Sequence, residues 1–161
     1  MEREQQLQVF LDLMIEAVCR AYSYIVGVEQ LKMFVSKTCE AMFMIAEEKG
    51  YGSVSGSNLQ DVAKSIAAML GQIDPREKDW TTTSNGDKLG LTISKCQYAH
   101  MCSEMFSEII SSGRVDKTKC PCIMAEFIAG GARNIGIKAR TTMQSFAPGH
   151  KCVSEVIKME M

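Results

Sequence analysis

The sequence is short of most features that mark an unusual class of protein. Its 18 Lys and Arg stand against 19 Asp and Glu, a formal net charge of −1, so no general nucleic-acid surface is indicated. Uncharged apolar runs, such as residues 42–46, are far shorter than the ~20 residues a membrane-spanning helix requires, and no membrane partner is expected. The opening Met1-Glu2-Arg3-Glu4-Gln5-Gln6 lacks a basic segment followed by an apolar one. That argues against a signal peptide and for a cytoplasmic protein. No glycine period, extreme polarity or internal repeat points to collagen, disorder or a repeat array.

Signatures of common enzymes are absent too. There is no G-x-x-x-x-G-K-[ST] loop, no G-x-G-x-x-G after a strand, no H-E-x-x-H and no G-x-S-x-G elbow. The Gly/Ser stretch at 50–57 has the composition of a linker. No pair of carboxylates stands in an apolar setting.

What is present is one domain's worth of core and a surplus of sulfur. A chain of 161 residues with 46% hydrophobic residues can bury a self-sufficient interior. It reads as a single domain with a helical part over 1–72 and a strand-and-helix part over 78–161. Seven cysteines and twelve methionines accompany this. Seven is odd, and a chain of this size needs no covalent staples, so a disulfide framework is the weaker reading.

Periodicity sets the elements. Leu7, Phe10, Leu11, Met14, Ile15, Val18 and Tyr22 recur at three-and-four spacing and predict a helix over 5–26, broken by Gly27. A second helix over 28–48 has apolar residues on more than one side, and a homodimer interface is expected on these first two helices. Ser57 or Asn58 is expected to cap a third helix over 59–71. Strands then flank Asn85-Gly86, the strongest short hairpin signal. Helices follow over 97–111 and 121–134. Two closing strands come last, the final one with Val153, Ile157 and Met159 alternating against Ser154, Val156 and Lys158. The expected fold is α+β, an antiparallel sheet of about four strands packed with N-terminal and crossover helices.

Five cysteines, Cys96, Cys102, Cys120, Cys122 and Cys152, share the last 66 residues with both histidines, His100 and His150. Several fall at ends of predicted elements, where side chains distant in sequence converge. Thiolate and imidazole are the ligands zinc prefers, and thiolates hold iron–sulfur clusters. Cys96, Cys102, Cys120, Cys122, Cys152 and His100 are therefore candidate metal ligands, for zinc or an iron–sulfur cluster. The spacing contains no C-x2-C pair, and free cysteines also serve as small buried hydrophobes or reactive thiols, so all three roles stay open. Cys19 and Cys39 sit on apolar helix faces and read as core. Charge is uneven: residues 1–112 hold 10 basic and 15 acidic groups and residues 113–161 hold 8 and 4, which leaves a mildly basic area around Arg133, Lys138 and Arg140.

Three segments resemble a known family. They are Leu91-Thr-Ile-Ser-Lys-Cys96, the cysteine-proline lead-in Cys120-Pro-Cys-Ile-Met-Ala-Glu-Phe-Ile-Ala-Gly-Gly131, and the closing Phe146-Ala-Pro-Gly-His-Lys-Cys152-Val. Together they resemble the 4-vinyl-reductase-type small-molecule-binding domains, a superfamily that shares its fold with heme-based nitric-oxide sensors and Golgi transport-particle subunits. Cys96-Gln-Tyr-Ala and the late Gly149-to-Cys152 element are also similar to the related L-2-amino-thiazoline-4-carboxylate hydrolase-like proteins. Gln97 stands where a proline is common, and Glu126 is a loose counterpart for the hydrolases' acidic residue.

The resemblance implies a sheet and helices around an apolar pocket, with Cys96, Cys120 and Cys152 at the family's cysteine positions. Met124, Phe127 and Arg140 are the candidate ligand contacts. The expected function is binding or sensing of a small hydrophobic or tetrapyrrole-like molecule beside a cysteine-ligated metal, rather than catalysis. The alternative is a small hydrolase of a cyclic amide or thiazoline-like substrate, using a cysteine or a metal-bound water.

Overall fold

The computed structural model describes residues 3–73, 80–96 and 98–160. Helix α1 spans Arg3–Val26 and α2 spans Val28–Glu48, separated by Gly27 alone. Gly27 has φ 91, a value that costs other residues strain, and it lets two long helices meet without a loop. Helix α3 is Leu59–Ile73. Of the two candidate caps Asn58 takes the role, its Oδ1 accepting from the Asp61 amide at 3.0 Å.

Strands β1 (Trp80–Asn85) and β2 (Lys88–Ile93), helix α4 (Ala99–Ser111), a 3-10 turn at Lys117–Lys119, helix α5 (Ile123–Asn134) and strands β3 (Ala139–Ser145) and β4 (Cys152–Lys158) complete the chain. The four strands form one sheet in the order β1-β2-β4-β3, every neighbouring pair antiparallel. The fold is α+β.

Two details differ from expectation. The hairpin turn is Gly86-Asp87, one residue later than the Asn-Gly signal, because Asn85 still pairs with Lys88. Only Gly86 has positive φ there, the pattern of a II′ turn, which needs glycine at its first central position. On β4 the buried side chains are Ser154 and Val156, each at 0% exposure, and not the expected Val153, Ile157 and Met159. Register is the reason: Leu89 pairs with Val156 and Leu91 with Ser154, so the face that joins the core of β2 is the one carrying Ser154. Side-chain alternation on a central strand with apolar residues on both faces does not say which face turns inward.

Helix α5 is the centre of the molecule, between α2 and the sheet. Its small residues allow this. A Cβ on Gly130 would stand 2.9 Å from the Glu40 amide nitrogen of α2, and one on Gly131 would stand 2.7 Å from Ile66 Cδ1 of α3. Two apolar cores result. One joins α3, α5 and the sheet through Val62, Ile66, Leu89, Leu91, Ile128 and Val156. The other joins α1, α2 and α4 through Cys19, Leu31, Val35, Met101 and Phe106.

Candidate functional site

The cysteines divide into neighbourhoods. Cys152 opens β4 opposite Ile93, Cys96 follows β2 by three residues, and Cys122 is the residue before α5. The Ala147 amide donates to Cys152 Sγ at 3.4 Å. Cys122 caps α5 without a side-chain hydrogen bond, the buried Ser154 hydroxyl donates to Met143 Sδ at 3.5 Å, and the Tyr98 amide lowers the pKa of Cys96. Cys96, Cys122 and Cys152 also interact electrostatically with one another, and Cys102 feels all three together with Cys19.

Cys120 lies elsewhere. It is 1% exposed, and the charges that act on it are those of Lys32 and Asp116. The expected meeting of Cys96, Cys120 and Cys152 does not occur; Cys122, not Cys120, is the cysteine of this pair that influences Cys96. Cys120 closes the 3-10 turn and packs into the core of α1, α2 and α4, whereas Cys122 starts α5 and packs into the core of α3, α5 and the sheet. His100 is exposed on α4. Among the described residues no three His, Cys, Asp or Glu side chains are grouped to hold a metal ion.

Burial governs the thiols. It pushes Cys96 up to about 11 even with the Tyr98 amide pulling the other way. It pushes Cys120 to about 11 against the pull of the Lys32 ammonium, and raises Cys102 and Cys122 as well. Thiols held above their ordinary range are protonated at neutral pH and are poor nucleophiles. This weighs against the cysteine-hydrolase alternative. Glu126, its loose acidic counterpart, is 2% exposed. It accepts the Thr141 hydroxyl and lies 3.8 Å from Arg133 Nη2, as a structural group would.

The candidate ligand contacts are also placed apart. Met124 and Phe127 of α5 wedge between the two apolar cores, Phe127 meeting Phe43 edge-on with centroids 6.3 Å apart. Arg140 is exposed on β3. Arg133, from the same basic area, is consumed within the protein: it bonds the Ala139 and Ser36 carbonyls, the Ser36 hydroxyl and the Glu40 carboxylate.

A different concavity is formed by α1, α2, α4 and the segment before α5. Cys19, Leu31, Val35, Met101, Cys102, Met105, Phe106, Pro121 and Ile123 line it, and its volume is about 10 Å³. That is the space of a single water, and no ionisable side chain other than the two neutral thiols lines it. As it stands the crevice is closed. Two methionines and two cysteines in its wall are nevertheless side chains that re-pack at low cost. Only Cys102 of the predicted site residues lies here. The signal that could have found the rest was the methionine content of α4, where Met101 and Met105 stand one helical turn apart.

No family model matches the sequence, and no curated protein matches it. Among solved structures the chain is similar to a trafficking protein particle complex subunit 3 from Naegleria fowleri covalently bound to palmitic acid. The TM-score is 0.55 at 14% identity, over 90% of this chain and 95% of that one, and the likeness is one of fold.

Proposed function

We propose that this protein is a non-catalytic binding domain for a slender hydrophobic molecule such as a long acyl chain, taken up in the crevice among α1, α2 and α4. The observation that carries the proposal is the crevice lining: nine residues contribute, none bears a formal charge at neutral pH, and two methionines and two thiols are among them. Fold likeness to a subunit with covalently bound palmitic acid supports an acyl chain over a tetrapyrrole. So does the crevice's size, because widening a narrow seam for a chain displaces fewer side chains than opening a slot for a macrocycle. All seven cysteines are free, in keeping with a reducing, cytoplasmic setting.

The test is titration of the protein with a fluorescent fatty acid, repeated with Met105→Glu. Saturable binding by the wild type and its loss in a variant that keeps its circular dichroism are expected. No saturable binding by the wild type would overturn the proposal.

One observation favours a second role, a soft metal ion on Cys96, Cys122 and Cys152. The Ala147 amide donates to Cys152 Sγ at 3.4 Å and the Tyr98 amide favours the thiolate of Cys96, the kind of support coordinated thiolates receive. A zinc ion or iron–sulfur cluster would be held by these three sulfurs as thiolates. Metal analysis of anaerobically purified protein checks this. About one equivalent of zinc or iron, lost in Cys122→Ser but retained in Cys120→Ser, is the expected result. Less than about a tenth of an equivalent removes the metal role and leaves the acyl-binding role standing.

A further inference from the structure

Among the described residues, the packing that holds α1 to its own chain lies toward its C-terminal end. Cys19 is buried, Tyr22 stacks on Phe34 of α2, and Arg20 pairs with Glu104 of α4 at 3.6 Å. The half spanning residues 7–18 presents Leu7, Val9, Phe10, Leu11, Leu13, Met14, Ile15 and Val18 at 38–60% exposure. At 3.6 residues per turn these eight cover an arc of roughly 240° of the helix. A helix apolar over so much of its circumference is a buried helix, and none of the described residues of its own domain buries these side chains.

We infer that this half of α1 is the interface for a second copy of the chain, paired antiparallel through Leu7, Phe10, Leu11, Met14, Ile15 and Val18. Three observations choose this occupant. First, side chains of this kind show about 200 Å² each when free, so these six expose on the order of 600 Å², most of one partner's ~800 Å² share of a standard interface. Secondly, the stripe is self-complementary. In a two-fold antiparallel pair centred between residues 12 and 13, Leu7 meets Val18 of the other copy, Phe10 meets Ile15 and Leu11 meets Met14, which is what an isologous contact needs.

Thirdly, charge argues against a lipid surface. Surface-lying helices carry an excess of Lys and Arg on their polar side, whereas α1 has Asp12 and Glu16 there against a single Arg20, which is paired with Glu16. Because Cys19 of the same helix walls the crevice, pairing also steadies one side of the ligand site. That last consequence rests on the acyl-binding function proposed above; the interface itself does not.

Sedimentation equilibrium of the full chain at micromolar concentration tests the inference without any ligand. The expected mass is twice the 17.8 kDa of the chain. Leu11→Glu and Met14→Lys should each weaken self-association by on the order of 100-fold, since each places charges against apolar side chains, with circular dichroism unchanged. An equimolar mixture of the two variants should regain the dimer mass, because Glu at 11 then faces Lys at 14 across the pair. A monomeric wild type overturns the proposal. So does a Leu11→Glu dimer, a mixture that stays monomeric, or a monomer that floats with phosphatidylserine vesicles.

Discussion

Gly130 of α5 lies directly against the backbone of Glu40 in α2: a methyl group on Gly130 would stand 2.9 Å from the Glu40 amide nitrogen. This contact sets how closely the two helices approach, and so where Cys122, at the start of α5, sits relative to the sheet. Gly130→Ala is expected to force the helices apart and destabilise the domain by about 1–3 kcal/mol despite alanine's better helix propensity. Urea denaturation compared with the wild type measures it; an unchanged midpoint would refute the contact.

Thr141 supplies the hydroxyl that Glu126 accepts, and both are buried. Thr141→Val keeps the shape but leaves a carboxylate oxygen without its donor, at a cost of about 1–3 kcal/mol. Thr142→Val, on the opposite face of β3, should cost under about 0.5 kcal/mol. Equal losses from the two would mean that the hydroxyl contributes nothing specific.

Stability should fall on the alkaline side. Burial raises six thiols, Cys19, Cys39, Cys96, Cys102, Cys120 and Cys122, above the 9.0 of a free one. Their native pKa exceeds the unfolded value, so the unfolded chain loses protons first as pH rises. Stability is then flat below about pH 9 and declines from there through about 11. Burial moves Lys32 the other way, one group against six. Urea midpoints at pH 8, 9, 10 and 11 trace the decline, and thiol alkylation should be slow at neutral pH and fast only after unfolding.

Leu31 is 1% exposed and lines the apolar crevice. Leu31→Ala should destabilise the domain by about 2–5 kcal/mol while strengthening binding of a fluorescent fatty acid, since the new space adjoins the crevice. Opposite signs for stability and affinity are the diagnostic result. Parallel losses would place the ligand elsewhere.

Much of this fold was legible along the chain because its signals are local. The helix over 28–48, the break at Gly27 and the Asn58 cap follow from periodicity and end chemistry within a few residues. The small-residue run at 129–132 was visible as well, although its purpose, room for α2 and α3, was not. Local pattern was enough for the helices, for the presence of the hairpin around Gly86 though not its exact turn, and for the apolar excess of α1, since each depends on neighbours within about one turn or one strand pair. Tertiary structure alone decided that Cys122 rather than Cys120 influences Cys96, that Ser154 and Val156 face inward, and that a sulfur-lined crevice lies among α1, α2 and α4. Each of these is set by the register and approach of elements far apart in sequence, and a difference of one residue in register turns a side chain to the opposite face.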